Sequence, residues 1–187
     1  MRVIAGKFRS RRLRSLAGPA LRPTSDRLRE TVFNILSPRL EGCRFLDLYA
    51  GTGAVGIEAL SRGAALAVFV ESHAPAARLI VRNLAALGIR EGARVMPLQA
   101  AAALAKLASE RLPPFDCVFL DPPYAEEGEY RAALEAVDEG RLLAEEGVLV
   151  AEHRKSFAPQ ARVGRLERFR ELRQGDAALG FYRRTRG

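Results

Sequence analysis

Apolar residues along the middle of the chain form two alternating patterns. Short, mostly apolar runs at 44–49, 66–71, 93–98, 115–120 and 147–153 predict buried strands. Between them, apolar residues spaced three and four positions apart predict helices over 55–63, 74–88, 101–111 and 129–140. Strands that are apolar throughout and alternate with helices are typical of an α/β fold, with a mostly parallel sheet covered on both faces.

The two ends of the chain have different patterns. Extended runs at 165–172 and 178–184 flank the turn signal RQGD and predict an antiparallel pair that completes the sheet. At the start, 2–8 and 11–16 predict a small β-hairpin, followed by an amphipathic helix with Ser25 or Asp26 as its N-cap. We therefore expect an N-terminal hairpin-and-helix extension over 1–40 and a main domain over 41–187.

Charge is spread unevenly within a net charge of +8. Residues 1–44 carry eleven Lys and Arg against three Asp and Glu, 45–153 carry nine against sixteen, and 154–187 carry ten against three. Basic ends around an acidic middle favour a polyanionic partner, such as a nucleic acid, held by the termini. Because 27 of the 30 basic residues are Arg, the base composition of the genome is a second explanation.

Targeting, membrane and metal signals are weak. No apolar run approaches the roughly 18 residues of a membrane span, and the basic start lacks the apolar stretch of a signal peptide, so a cytoplasmic protein is expected. Cys43 and Cys117 fit no zinc-binding spacing and are expected to be buried thiols. We expect no metal site, and no oligomerisation pattern stands out, which favours a monomer.

A glycine-rich motif follows the first strand. Gly51, Gly53 and Gly56 match G-x-G-x-x-G, and Glu71 ends the second strand 20 residues after Gly51. Glycines at this point let a cofactor approach the backbone, and an acid at the end of the second strand accepts hydrogen bonds from a ribose. The motif predicts a site for a nucleoside-containing cofactor, but the glycines alone do not identify it.

An acid close to the glycines helps to distinguish between the possible cofactors. Asp47 lies four residues before Gly51, where its carboxylate would crowd a pyrophosphate but would suit an ammonium and a sulfonium group. The stretch Asp47-x-x-x-Gly51-x-Gly53 resembles motif I of S-adenosylmethionine-dependent methyltransferases. A nicotinamide oxidoreductase remains the alternative, although the chain has no room for the separate substrate domain that such enzymes usually carry.

A second motif, Asp121-Pro122-Pro123-Tyr124, ends the fourth strand. It resembles the [DNS]-P-P-[YFW] motif of amino-methyltransferases that act on nucleobases and glutamine amides. The lone pair of an exocyclic amine is delocalised, and a carboxylate and a carbonyl that accept its two N–H bonds free the lone pair for attack. Asp121 and the Pro122 carbonyl are the expected acceptors, on the rigid turn that Pro123 continues, and Tyr124 is expected to stack on the extruded base.

The order of the motifs points to one family. GKFRSRRL at 6–13 and RPTSDRLRETVFNIL at 22–36 precede DLYAGTG and DPPY, and together they resemble the bacterial 16S ribosomal RNA (guanine-966-N2)-methyltransferase family over residues 2–184. The resemblance implies a class I, Rossmann-like methyltransferase sheet of seven strands with the last reversed. It also implies methyl transfer from S-adenosylmethionine to N2 of one guanine, in a small ribosomal subunit or its assembly intermediate.

The resemblance assigns roles to further residues. The RNA-binding residues are expected to be Lys7, Arg9, Arg11, Arg12 and Arg14. The cofactor-binding residues are expected to be Arg22, Pro23, Thr24, Asp47, Tyr49, Ala50, Gly51, Thr52, Gly53, Glu71, Ser72, Gln99 and Ala100. The chain departs from the pattern after the third strand, where Ala100 stands in the place of the acid that contacts the adenine in related enzymes. We expect Gln99 or backbone groups to serve there.

Three alternative functions each explain only some of these sequence features. An adenine-N6 nucleic-acid methyltransferase can share Asp-Pro-Pro-Tyr, but 187 residues leave no target-recognition domain. A glutamine-amide methyltransferase would not need basic termini. A non-catalytic nucleic-acid-binding module explains the charge but not Asp121-Pro122-Pro123-Tyr124. Only the ribosomal RNA methyltransferase explains all of these features.

Overall fold

The structure is a computed structural model that describes residues 1–15, 25–123 and 127–185. Five α-helices occur in these residues: α1 Asp26–Leu36, α2 Ala54–Ser61, α3 Ala74–Ala86, α4 Ala100–Ser109 and α5 Glu127–Glu139. A short 3₁₀ helix, Ser37–Arg39, follows α1. The strands are β1 Arg44–Leu48, β2 Leu66–Val70, β3 Ala93–Met96, β4 Phe115–Leu120, β5 Leu143–Arg154, β6 Arg162–Val163, β7 Leu166–Gln174 and β8 Ala177–Arg184.

The strands form one sheet in the order β3-β2-β1-β4-β5-β8-β7-β6. The first five strands are parallel to their neighbours, and β8 is antiparallel to both β5 and β7. This arrangement confirms the predicted class I, Rossmann-like fold. The described sheet has eight strands rather than seven because the two-residue strand β6 adds to the edge beyond β7.

Side chains that alternate along the strands divide the core between the two faces of the sheet. Phe45, Phe69 and Phe119 lie in the cluster beneath α1, α2 and α3. Leu46 and Val118, each one position away, lie in the cluster beneath α4 and α5. Burial of both faces explains why the strands are apolar throughout.

The N-terminal segment, residues 1–15, packs against the first of these clusters. Val3 and Leu13 are buried in it together with residues of α1 and α2. The predicted hairpin closes on itself, with an antiparallel bridge between Arg2 and Arg12, but it forms no regular ladder. Its backbone N–H groups at Ile4 and Ala5 donate instead to the carboxylate of Glu58 on α2. The division of the chain at residue 40 stays a prediction.

Other local predictions can be compared with the structure. Ser25 is the N-cap of α1, and its hydroxyl accepts from the Leu28 N–H at 3.1 Å. Cys43 and Cys117 are buried free thiols, as predicted. Within the described ranges, no helix is both long enough and apolar enough to span a membrane.

Candidate active site

The two predicted motifs leave the sheet side by side. Leu48 at the end of β1 pairs with Leu120 at the end of β4. The order of the strands reverses between β1 and β4, and ligands of open α/β sheets bind in the crevice at such a point. The next residues along the chain are Tyr49 to Gly53 after β1 and Asp121 to Pro123 after β4.

The glycine loop, residues 49–53, turns sharply. Gly51 and Gly53 have φ angles of 56° and 77°, and Tyr49 adopts a φ of 63°, which is unusual for a residue with a side chain. The Gly53 N–H donates to the Ala50 carbonyl at 2.7 Å. A Cβ atom at Gly53 would lie 3.1 Å from Ile80 of α3, so glycine lets the loop approach that helix closely.

The carboxyl group of Asp47 is buried within the motif. The side chain is 1 % exposed, and its Oδ2 accepts from the Gly56 N–H at 2.8 Å. Burial raises the pKa of Asp47 to about 7, a rise that the hydrogen bond from Gly56 opposes and the charge of Glu71 augments. In the structure, this carboxyl group therefore supports the first turn of α2.

Glu71 joins the end of β2 to the glycine loop. Its Oε2 accepts from the Gly51 N–H at 2.7 Å, and its Oε1 accepts from the His73 N–H at 2.7 Å. The side chain is nearly buried, whereas Ser72 and His73 are exposed. The structure thus brings together the first glycine of the motif and the acid 20 residues later.

The segment before α4 lies at the same edge of the sheet. The Glu71 N–H donates to the carbonyl of Met96, the last residue of β3, at 3.1 Å. Gln99 is the exposed N-cap residue of α4, and Ala100 is the buried first residue of that helix. These two candidate residues therefore lie beyond the neighbouring strand, on the side of the crevice where Glu71 ends β2.

The Asp-Pro-Pro segment forms the other side of the crevice. Asp121 is half-buried, Pro122 is buried and Pro123 is exposed. Tyr124 lies outside the described residues, as do Arg22, Pro23 and Thr24. The hydroxyl of Tyr49 donates to Glu129 Oε2 at 2.6 Å, which joins the glycine loop to the first turn of α5. Sequence reasoning missed Glu129, because an acid in the first turn of a helix is common.

The predicted RNA-binding residues share one surface but do not converge on one point. The Lys7 N–H donates to the Ser61 carbonyl at the end of α2, and Arg14 lies beside α3 at Asn83. Asn83 also binds the Thr52 carbonyl just before α2, so Lys7 and Arg14 lie near opposite ends of this helix, whose eight residues span about 12 Å. All five basic side chains are exposed, and within the described residues none forms a salt bridge: Lys7, Arg9, Arg11, Arg12 and Arg14.

Buried charges on α1 and α2 hold the N-terminal segment. Glu58 is fully buried, and besides the N–H groups of Ile4 and Ala5 it accepts from Arg62 Nε at 2.8 Å. Arg29 is also buried, and its Nη2 donates to the carbonyl of Arg2. Burial lowers the pKa of Arg29, an effect that Asp26 and Glu58 oppose. The sequence pattern did not single out these anchors.

A buried amide on α3 connects the N-terminal segment to the glycine loop. Asn83 Oδ1 accepts from the Arg14 N–H at 2.9 Å, and Nδ2 donates to the Arg14 carbonyl at 3.2 Å. The same Nδ2 donates to the Thr52 carbonyl at 3.1 Å. Asn83 was not predicted as a site residue, because a single polar residue in a helix carries no signal of partners far away in sequence.

Comparisons with known proteins agree with this geometry. Residues 1–183 match the family described as "Conserved hypothetical protein 95". A Bacillus subtilis protein named "Putative rRNA methyltransferase YlbH" is 39% identical over 98% of this chain and 99% of its own length. The Escherichia coli protein named "Ribosomal RNA small subunit methyltransferase D" is 38% identical over 81% of this chain and 74% of its own.

A solved structure has the same fold over its whole length. It is described as "Putative methyltransferase yhhF from Escherichia coli", and it aligns with a TM-score of 0.87 at 32% identity. The alignment covers 100% of this chain and 99% of that one. The crevice thus lies within a fold that this chain shares, end to end, with a protein of that description.

Proposed function

This chain belongs to the family described as conserved hypothetical protein 95, and from that premise we propose that it methylates a guanine of small-subunit ribosomal RNA. The methyl donor is S-adenosylmethionine, and the acceptor is the exocyclic N2 amine of the base. The substrate is 16S ribosomal RNA in the small subunit or in an assembly intermediate. The protein acts in the cytoplasm as a monomer, with residues 1–40 contacting RNA and 41–187 carrying out methyl transfer.

One observation carries the proposal. Asp121 and Pro122 directly follow Leu120, which pairs with the residue that precedes the glycine loop. An acceptor for an amine and a loop for a nucleoside cofactor therefore begin on adjacent strands at the switch point. The relatives named as ribosomal RNA methyltransferases support the choice of RNA as the substrate.

The residues at the crevice fit S-adenosylmethionine. Gly51 and Gly53 have positive φ angles that favour glycine, so no side chain covers the backbone at these two positions. Glu71 supplies a carboxylate at the end of β2 for ribose hydroxyls. The ionised form of Asp47 supplies a negative charge beneath the loop that favours a cationic group. When bound, the cofactor supplies an activated methyl group. The remaining cofactor contacts are proposed for Arg22, Pro23, Thr24, Tyr49, Ala50, Thr52, Ser72, Gln99 and Ala100.

The chain's own residues prepare the acceptor amine. Asp121 and the Pro122 carbonyl accept the two N–H bonds of the guanine amine, which localises its lone pair and stabilises the positive charge that develops on nitrogen. Tyr124 stacks on the base and fixes its plane, while Pro123 keeps the turn rigid. Holding amine and methyl donor in line supplies most of the rate, because the donor needs no further activation.

The function is tested by incubating the protein with methyl-labelled S-adenosylmethionine and small ribosomal subunits that lack this methylation. The RNA is then digested to nucleosides and analysed by mass spectrometry. Labelled N2-methylguanosine is the expected product. Label in N6-methyladenosine would show that the substrate is an adenine rather than a guanine. RNA without any label would contradict the proposal.

Asp121→Ala tests the catalytic assignment. Alanine removes both the acceptor oxygen and its charge, so methyl transfer is expected to fall by at least about 100-fold, on the scale of losing one preorganised group. Affinity for S-adenosylhomocysteine, measured by calorimetry, is expected to change little. The matched control is Asp176→Ala, which removes an exposed carboxylate in the β7–β8 turn. Full turnover in the Asp121 variant would exclude Asp121 from the mechanism.

A further inference from the structure

We propose that Asn83 is a positioning residue that couples RNA contact by the N-terminal segment to cofactor binding by the glycine loop. The inference rests on the proposed function, because it needs RNA at the basic side chains and a nucleoside cofactor at the loop. It adds a direct physical connection between the two, through one side chain on α3.

The amide of Asn83 is fully used. It is 1 % exposed, its oxygen accepts from the Arg14 N–H, and its nitrogen donates to the carbonyls of Arg14 and Thr52. Each of its two N–H bonds therefore has an acceptor. A buried amide with all donors satisfied is held in one orientation, and a shift in either partner leaves a buried polar group without a hydrogen bond.

One partner of Asn83, Arg14, belongs to the N-terminal segment. Asn83 binds both the N–H and the carbonyl of Arg14, so the backbone of this residue is fixed from both sides. The guanidinium of Arg14 is exposed, and Arg12 beside it is exposed as well. A phosphate bound by these side chains therefore acts on the stretch of backbone that Asn83 holds.

The other partner belongs to the glycine loop. The Thr52 carbonyl shares a planar peptide unit with the Gly53 N–H, and that N–H donates to the Ala50 carbonyl. Thr52 also lies between two glycines with positive φ angles, whose backbone is easily reoriented. The hydrogen bond from Asn83 therefore fixes the peptide plane on which the turn of the loop depends.

The two sites are coupled because RNA binding and cofactor binding both favour one conformation of the glycine loop. Contact with RNA that restrains Arg14 also restrains Asn83 and, through it, the loop in the conformation that Gly51 and Glu71 complete. Linkage is reciprocal, so a cofactor that orders the loop strengthens RNA binding by the same factor. Coupled sites typically change each other's affinity by about 5- to 150-fold.

Ser61 provides a matched control. It anchors the same segment at its far end, where its hydroxyl donates to the Ala5 carbonyl at 2.6 Å and accepts from the Phe8 N–H at 2.9 Å. Like Asn83, it is buried and binds the segment's backbone from a helix. Both of these partners lie in the N-terminal segment and neither lies in the glycine loop. Ser61→Ala therefore loosens the segment without breaking the connection to the cofactor.

The experiment measures the affinity for S-adenosylhomocysteine by equilibrium dialysis, with and without small ribosomal subunits that lack the methylation. The wild-type protein is expected to bind at least about fivefold more tightly in the presence of subunits. In Asn83→Ala this ratio is expected to fall to about one, whereas Ser61→Ala is expected to keep the wild-type ratio. Asn83→Leu, which keeps the volume of the side chain and buries no charge but cannot donate to Thr52, serves if the alanine variant does not fold.

The outcomes separate this inference from the proposed function. A wild-type ratio of one, an Asn83 variant that keeps the full ratio, or an equal loss in Ser61→Ala would overturn the coupling. A protein that does not bind S-adenosylhomocysteine at all would overturn the proposed function, and the coupling with it.

Discussion

Asp47 carries a carboxyl group whose pKa is raised to about 7 by burial under the glycine loop. In the unfolded chain this group ionises near its ordinary value of 3.8. Between these two values the folded protein retains a proton that the unfolded chain has lost. The free energy of unfolding therefore falls as the pH rises through this window, and the loss is complete above the folded-state pKa.

Asp47→Asn isolates this contribution, because an amide does not ionise. We expect the variant to gain stability relative to the wild type as the pH rises from about 5 to 8, by up to about 3 kcal/mol at 1.4 kcal/mol per unit of pKa. Urea unfolding of both proteins at the two pH values measures the difference. If the difference in free energy of unfolding between variant and wild type were the same at both pH values, the pKa of Asp47 would not be raised.

The residues of the site differ in how far the sequence could predict them. Asp47, Gly51 and Glu71 follow a fixed spacing around β1 and β2. The bonds of Asp47 to Gly56 and of Glu71 to Gly51 lie at the ends of these two adjacent strands. Glu58 and Asn83 bind partners more than 50 residues away in sequence. Nothing in a helical pattern marks such a residue, because its role arises only when the N-terminal segment folds back over α2 and α3.

At the level of the elements, the third glycine of the motif fixes how closely α2 packs on the sheet. A Cβ atom at Gly56 would lie 2.3 Å from the ring of Phe69 on β2. Gly56→Ala is therefore expected to destabilise the fold by about 1–3 kcal/mol through overpacking, measured by urea unfolding.

A second glycine-to-alanine change separates this packing effect from helix propensity. Gly128 lies in α5 with nothing within 4 Å of its Cβ position. Gly128→Ala is expected to stabilise the protein by about 0.5 kcal/mol, because alanine favours the helix and restricts the unfolded chain. Equal effects at the two positions would mean that the contact with Phe69 does not limit the approach of α2.

The hydrogen bond between Tyr49 and Glu129 joins two elements of the site. Because α5 begins only four residues after Pro123, this bond is expected to hold the Asp-Pro-Pro segment near the glycine loop. A hydrogen bond to a charged group contributes at least about 1.5 kcal/mol, so Tyr49→Phe is expected to lower the turnover number by about tenfold. Glu129→Gln is expected to have a similar effect, measured in the same methylation assay.

A double-mutant cycle tests whether Tyr49 and Glu129 act as one bond. The double variant is expected to be no slower than the slower single variant. Arg131→Gln breaks an exposed salt bridge to Glu135 on the same helix and is expected to leave turnover unchanged. If the fold-reduction in turnover of the double variant equalled the product of the two single reductions, Tyr49 and Glu129 would act independently.

The order of the elements was predictable, whereas irregular pairing was not. Apolar runs and helical spacing identify β1 to β5 and α1 to α5, because burial on both faces of a sheet leaves a strong pattern. The N-terminal hairpin lacks a ladder because Glu58 and Ser61 take up its N–H groups, which no local pattern reveals. Strand β6 has only two residues, too few to show the alternation of apolar and polar positions that identifies a strand.

At the scale of the whole molecule, the basic N-terminal surface predicts a salt-dependent interaction with RNA. Lys7, Arg9 and Arg12 are exposed and do not participate in the salt bridges of the described residues. Replacing all three by Gln is expected to weaken binding to small subunits. The slope of log K against log salt concentration should fall by roughly 0.7–0.9 for each phosphate that the variant no longer neutralises. Sedimentation binding at several salt concentrations measures both quantities.

A control with the same change in net charge uses the opposite face of the sheet. Lys106, Arg111 and Arg141 are exposed near α4 and α5, and their replacement by Gln removes three positive charges there. If binding depends on local neutralisation of phosphates, this variant keeps nearly the full slope. Equal slopes for the two triple variants would mean that only the overall charge matters.

The short outer strands of the sheet limit how this protein can aggregate. Strand β3 offers four residues at one edge and β6 only two at the other, so each outermost strand presents few backbone groups to an incoming strand. A bulge between Arg168 and Arg170 further interrupts β7 beside that second edge. Lengthening β6 into a regular strand would supply a longer edge, through which two chains could join sheet to sheet.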